Sequence, residues 1–162
     1  QIESLDLCEI SRQYVAEWIG PLESNGYSYT IEIPEETWLA DLDKNAYKRI
    51  VNNLCENVLR HSHGTQFRFC LIPDTRQATI RVSDNGTGIS ADDLPHVFDR
   101  LYQCDPSRTT PGNGLGLSIT KELVVAMGGT IQVQSFPGHE TTFTICFPKA
   151  KALPDSQERP FA

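Results

Sequence analysis

Asp84-Asn85-Gly86-Thr87-Gly88 follows a run, Gln77 to Ser83, in which apolar Ala78, Ile80 and Val82 alternate with more polar residues. The alternation predicts a half-buried β-strand ending at Asp84, where two glycines let the backbone turn and another group approach it closely. A second cluster, Gly112-Asn113-Gly114-Leu115-Gly116, opens a helical pattern from Leu115 to Met127 that stops at Gly128-Gly129. A carboxylate at a strand end, a glycine pair beside it and a glycine-rich helix start together describe a pocket where main chain meets a bound ligand.

Working outward, Phe67, Phe69 and Leu71 alternate before a turn at Pro73-Asp74, so the Asp84 strand is the second arm of a hairpin. Thr130 to Ser135 and Thr141 to Phe147 form another across Pro137-Gly138, and Tyr27, Tyr29, Ile31 and Ile33 make a strand closed by Pro34. One face of each hairpin strand is apolar and the other largely polar, the pattern of a sheet with helices on one side only. A short strand over Ile2 to Leu7 fits the opening residues, and a helix follows from Leu7, interrupted at Gly20-Pro21. Asp43 is placed to cap a further helix with Tyr47, Ile50, Leu54 and Val58 on its apolar face and Asn45, Arg49, Asn52 and Glu56 outside. The expected fold is α+β: a two-layer α/β sandwich, one mixed, mostly antiparallel sheet covered on one face by about three helices. Residues 1–150 read as one domain, the chain after Pro148 as frayed, and 151–162 as a flexible tail. The long polar stretch 90–111 between the glycine clusters has the position of a lid.

At 162 residues the chain suits a single core, and a net charge of -7 without a basic run argues against a nucleic-acid surface. An acidic chain still binds a polyanion where backbone dipoles and a metal offset its charge. Five scattered cysteines lack CxxC spacing, which indicates neither a disulfide framework nor a zinc site. With no apolar run of membrane-spanning length and no signal peptide, the expected setting is the cytoplasm, without direct membrane contact by this segment and with the isolated domain monomeric. A chain opening on Gln1 is expected to be a piece of something longer, possessing any membrane anchor elsewhere.

Asn53, Asn57 and Arg60 fall at i, i+4 and i+7, a stripe along the edge of the apolar helix face. They either rim a pocket or decorate a half-exposed helix. His61 and His63 have no third metal ligand in view, and in His139-Glu140 the place of a second zinc histidine is held by Phe143. The glycine cluster at 112–116 lacks the Lys-Ser/Thr of a Walker A loop and follows a lid rather than a strand.

Taken together, Asn53-Leu54-Cys55-Glu56-Asn57 with Arg60-His61, then Asp84 to Gly88, then Val97-Phe98-Asp99-Arg100, then Gly112 to Leu117, resemble the N, G1, F and G2 boxes of sensor histidine kinase catalytic domains. These domains belong to the Bergerat-fold (GHKL) ATPases, with gyrase, Hsp90 and MutL, and the resemblance covers roughly Ile2 to Lys149. It implies ATP and Mg²⁺ as ligands. Asp84 would accept a hydrogen bond from the adenine amine, which a guanine carbonyl does not offer, while Gly86 and Gly88 leave room for the purine and Ile89 lines the site. Asn57 would ligate Mg²⁺, with Asn53 as a second polar contact and Arg60 and His61 on the phosphates. Gly112, Gly114 and Gly116, with Leu115 and Leu117, would cradle the phosphates. Phe98 corresponds to the lid phenylalanine, Arg100 and Arg108 to γ-phosphate or partner contacts, and Thr142 to the terminal Gly-x-Gly-Thr motif. The implied catalytic set is Asn53, Asn57, Arg60 and Arg100. Gln103, where many relatives carry a basic residue, and Glu140, where a glycine is common, depart from the pattern.

Hydrolysing relatives carry a glutamate at the place of Asn53, whereas an acceptor imidazole, with a pKa of about 6.5, is already largely unprotonated at neutral pH. The resemblance therefore implies transfer of the γ-phosphate of Mg-ATP to a histidine on a separate dimerisation domain, outside this chain, and onward to a response regulator. The alternatives are a Bergerat-fold serine kinase or ATPase, or a non-catalytic interaction module in which nucleotide is regulatory.

Overall fold

Alternating segments become strands, 3.6-periodic segments become helices, and the two kinds sort into layers. The structure is a computed structural model that describes residues 1–102 and 116–151. In chain order the elements are β1 (Ile2–Asp6), α1 (Leu7–Ala16), α2 (Ile19–Ser24), β2 (Ser28–Glu32), β3 (Leu39–Asp43), α3 (Lys44–Asn57), β4 (Gln66–Pro73), β5 (Gln77–Asp84), α4 (Gly116–Ala126), β6 (Thr130–Phe136) and β7 (Glu140–Pro148). The main sheet has five strands in the order β2-β4-β5-β7-β6. β2 and β4 are parallel, joined by the crossover through α3 that such a pair requires, and the other pairings are antiparallel.

Period-two alternation aims Phe67, Phe69 and Leu71 of β4, Ala78, Ile80 and Val82 of β5, and Phe143, Ile145 and Phe147 of β7 at the helical layer. There they meet Tyr47, Ile50 and Leu54 of α3 and Leu7 and Val15 of α1 in one buried cluster. The opposite face of the sheet carries Arg68, Arg81, Thr142 and Thr144. The expected α+β sandwich is therefore the observed one, with three longer helices and the short α2 on one side.

Three local expectations are corrected. A second, two-stranded antiparallel sheet pairs β1 with β3, from Ile2 opposite Asp43 to Asp6 opposite Leu39. Leu39-Ala40-Asp41-Leu42-Asp43 hides this strand because Ala and Asp are poor strand formers and only Ala40 and Leu42 are buried. Each of its strands ends in an aspartate that caps the next helix: Asp6 accepts from the Cys8 amide at 3.1 Å and Asp43, as expected, from the Ala46 amide at 3.0 Å. The interruption expected at Gly20-Pro21 falls earlier, at Glu17-Trp18, and Gly20-Pro21 sits in the first turn of α2, where the missing N–H has no intrahelical partner to lose. The chain beyond Pro148 is tied down as far as the structure describes it. Lys149 N–H donates to the Arg76 carbonyl (2.9 Å), Ala150 N–H to the Leu39 carbonyl (2.8 Å) and Lys151 N–H to Asp41 Oδ2 (3.0 Å). The tail expected at 152–162 lies outside the described residues.

Cys8, Cys55, Cys70 and Cys146 are free thiols, and burial pushes Cys55 up to about 12. Among the described residues no helix is long and apolar enough to cross a membrane. α4 ends where the sequence placed its stop: Gly128, at φ +79°, donates to the Val125 carbonyl at 3.0 Å, and Gly129 to the Val124 carbonyl at 2.9 Å. Gly128→Ala should lower stability by about 1 kcal/mol, because alanine disfavours that φ. Gly20→Ala, where an added Cβ meets nothing within 4 Å, should be neutral or stabilising by up to about 1 kcal/mol. Urea denaturation of the pair checks this, and equal effects would contradict the assigned cap.

Candidate functional site

α3 does not stop at Asn57; the chain continues through one wider π turn, Val58–Ser62, and leaves it at His63 in the left-handed region, φ 52°. Such turns shift the phase of a helix and recur at functional sites. Here the shift carries Ser62 inward. Its buried hydroxyl donates to Asp84 Oδ1 at 2.8 Å, and its carbonyl accepts from the Thr87 amide at 2.7 Å. Thr87 Oγ1 donates to the His61 carbonyl at 3.2 Å. Asn85 completes the stitching: its Oδ1 accepts from the Thr65 and Gln66 amides at 2.8 and 2.7 Å.

The contact between these loops explains the glycines differently from the sequence reading. A Cβ on Gly86 would lie 2.0 Å from both the carbonyl and hydroxyl oxygens of Ser62, and one on Gly64 would lie 2.8 Å from the Gly86 amide. Gly86 is thus required for main chain to pass main chain. Gly88 has φ +78° and its Cβ would meet Pro137 Cα at 2.9 Å. Next to it, Ile89 packs on the core and its amide donates to Ser135 Oγ at 2.8 Å, joining the loop to the β6–β7 hairpin.

Asp84 closes β5 with 7 % of its surface exposed. Its Oδ1 takes both protein donors, Ser62 Oγ and the Gly86 amide at 2.9 Å. Its Oδ2 has no hydrogen-bond partner among the described residues. Burial raises the Asp84 pKa above the usual carboxylate range, the two donors pull against that, and the charge of Glu140 adds to the rise. Directly opposite, Thr141 is buried on the same sheet face, its Oγ1 2.7 Å from Ser135 Oγ. Thr142, the residue expected at the site, faces the other way: its Oγ1 is 3.0 Å from Ser83 Oγ and donates to Glu140 Oε1 at 3.1 Å. The correction follows from parity. Thr141 shares its phase with Phe143, Ile145 and Phe147, so the alternation already in the sequence identifies it.

On α3, Asn53 donates from Nδ2 to the Gly116 carbonyl at 3.3 Å and to Thr120 Oγ1 at 3.2 Å, clasping the first turn of α4. Asn57, one turn further, is half-buried and its amide has no hydrogen-bond partner among the described residues. Arg60 is ion-paired with Glu56 at 3.1 Å, and His61 is exposed. Gly116 opens α4, where an added Cβ meets nothing within 4 Å among the described residues, and Leu117 packs on the core. Gly112, Gly114 and Leu115, with Gln103 and Arg108, lie outside the described residues. The first half of the expected lid is folded against the domain. Ser90 Oγ donates to Asp93 Oδ2 at 2.8 Å, and Phe98 packs edge-on against Phe143 with ring centres 6.3 Å apart. Lys121 Nζ lies 5.5 Å above the Phe98 ring; Arg100 and His96 are exposed.

Asp84, Ile89, Asn53, Asn57, Gly116 and Leu117 thus lie on adjoining ends of β5, α3 and α4, while Thr142 is on the far face of the sheet. Ser62, Gly64, Thr120 and Thr141, which the sequence does not single out, complete the arrangement together with Asn85 of the opening motif. No group of three or more His, Cys, Asp or Glu among the described residues is placed to hold a metal. A hard amide oxygen such as that of Asn57 suits a cation that takes its other ligands from phosphate and water.

The direction of the Asp84 shift gives a stability prediction. A carboxylate whose folded pKa lies above its unfolded value contributes most stability below the unfolded value and loses it as pH rises through the folded value. At neutral pH the charged form therefore opposes folding. Asp84→Asn, which keeps an acceptor for Ser62 and Gly86, should leave the neutral-pH Tm unchanged or raised. Any advantage should vanish as pH falls through the raised pKa. Thermal unfolding from pH 7.5 downward checks this, and a marked loss of Tm at neutral pH would contradict it.

Comparison with known proteins places this geometry. Residues 42–151 match the family described as histidine kinase-, DNA gyrase B-, and HSP90-like ATPase. The sensor histidine kinase YcbM of Bacillus subtilis (strain 168) is 37 % identical over 147 residues, 89 % of this chain and 47 % of that protein. The sensor protein kinase WalK of Staphylococcus epidermidis is 34 % identical over 126 residues, 75 % of this chain and 21 % of that protein. The chain spans about half or less of the length of these relatives. Among solved structures, the catalytic domain of histidine kinase ThkA has a TM-score of 0.79 at 19 % identity, covering 93 % of this chain and 97 % of that one. Full-length ShkA in complex with AMPPNP has a TM-score of 0.77 at 24 % identity, covering 94 % of this chain and 32 % of that one. With four boxes in order, the matching fold and these relatives, the chain belongs to the histidine kinase-, DNA gyrase B- and HSP90-like ATPases, as an ATPase domain of the sensor histidine kinase kind.

Proposed function

We propose that this domain binds Mg-ATP and presents its γ-phosphate to a histidine on a separate dimerisation domain of the same kinase, from which the phosphoryl group passes to a response-regulator aspartate. The observation that carries the reading is Asp84: a buried carboxylate with one oxygen held by Ser62 and Gly86 and the other without a partner among the described residues, at the strand end reached by the turn that follows α3. An acceptor facing the 6-position of a purine selects an amine there, hence adenine over guanine, whose 6-position is a carbonyl. The start of α4 is pinned to α3 by Asn53, and a helix start favours phosphate. The relatives named as sensor kinases, and the AMPPNP complex of ShkA, support the same assignment.

Asn57 fits as the protein ligand of Mg²⁺, with Asn53 beside it. The cation, when bound, neutralises charge on the phosphates. Arg60, ion-paired with Glu56, and exposed Arg100 would serve as cations for the γ-phosphate or the partner domain. Phosphoryl transfer to an imidazole needs no strong base, and α3 offers none in the place of Asn53; Glu56 is engaged by Arg60. That counts against the self-contained ATPase reading. Residues 1–150 act as one catalytic module on the cytoplasmic side, where ATP and the regulator are found. Catalysis would then be mainly positioning and charge neutralisation.

Supplied with the dimerisation domain of its own kinase and Mg-ATP, the domain should yield a phosphoprotein that is labile to acid and stable to alkali. An acid-stable product would favour a serine kinase. Asn57→Ala should weaken ATP binding about tenfold or more with Mg²⁺ present and little in EDTA. An equal loss in both would remove Asn57 as the metal ligand.

A further inference from the structure

We infer that Ser62 is the positioning residue that sets base selectivity: its hydroxyl holds Asp84 Oδ1, so that Oδ2 alone is presented to the base. The inference rests on the nucleotide-binding reading of the site and assigns a role to a residue outside the four boxes. Ser62 is 6 % exposed and its hydroxyl donates to Asp84 at 2.8 Å. Its main chain has little freedom, because the carbonyl accepts from the Thr87 amide at 2.7 Å and the backbone of Gly86 passes too close for any Cβ. The hydroxyl is therefore delivered from a fixed point. With the Gly86 amide as the second donor, Oδ1 is held from two directions and the carboxylate plane is set. Remove the hydroxyl and one donor remains, about which the carboxylate can turn. Asp84 then keeps its charge and place at the strand end but loses the orientation that separates a reading oxygen from an anchored one.

Ser62 does not contact the base in this arrangement, so its effect is confined to the interaction with the amine. The test compares ADP with purine riboside 5′-diphosphate, which lacks the 6-amino group, by calorimetric titration of the chain. The wild type should prefer ADP. Ser62→Ala should reduce that preference about tenfold, through ADP, with affinity for the deamino analogue changed by less than about twofold. Ser62→Cys, which keeps a weaker donor on a somewhat larger atom, should fall between the two and stands in if Ser62→Ala does not fold. Equal weakening of both ligands would show a general structural role and overturn the inference, as would an unaltered preference. A folded wild-type domain that binds neither ligand would overturn the nucleotide reading itself, and the role of Ser62 with it.

Discussion

The passage of the Gly86 backbone against Ser62, at a distance that excludes any side chain, is the constraint on which the rest of the site depends. It fixes the end of α3 relative to the end of β5. One π turn brings Ser62 inward, and a residue without Cβ receives it. Thr87 and Asn85 then close hydrogen bonds that satisfy amides otherwise stranded in a loop between two layers. The result is a carboxylate at a strand end whose two oxygens have different surroundings.

Placing that carboxylate has a penalty and a compensation. A buried charge in a chain of net charge -7 is unfavourable, and Glu140 makes it more so. Two donors on Oδ1 offset part of this, and a ligand amine on Oδ2 would offset more. The binding energy of such a ligand comes partly from relieving a carboxylate that folding leaves incompletely satisfied. Asn53 pins the first turn of α4 to α3, and under the proposed reading the phosphate end would work by different means, with helix dipole and amide side chains supplying the field without a cluster of lysines. An acidic domain can hold a polyanion in this way.

Much of this was legible in the sequence. Strict alternation in β4, β5 and β7 displayed the sheet and its buried face, Gly128-Gly129 the end of α4, and Asp84 to Gly88 the strand end and turn. What stayed hidden has physical reasons. β3 is built from residues with little intrinsic strand preference and forms because β1 pairs with it. Ser62 closes a π turn, so extrapolating the 3.6-residue period of α3 does not reveal its inward direction. For Asn53 the sequence offers a second polar contact beside Asn57, whereas its clasp on Gly116 and Thr120 depends on α4, sixty-odd residues away. Thr141 differs: its phase along β7 was readable, and motif matching alone selected its neighbour.

The most direct test of the central claim, that Asp84 is a preset reader of adenine, is calorimetric titration with a non-hydrolysable ATP analogue and its guanine counterpart, each with and without Mg²⁺. The account predicts measurable binding of the adenine nucleotide, strengthened by Mg²⁺, and at least about tenfold weaker binding of the guanine nucleotide. Equal affinity for the two bases, or no binding of either at millimolar concentration, would contradict it.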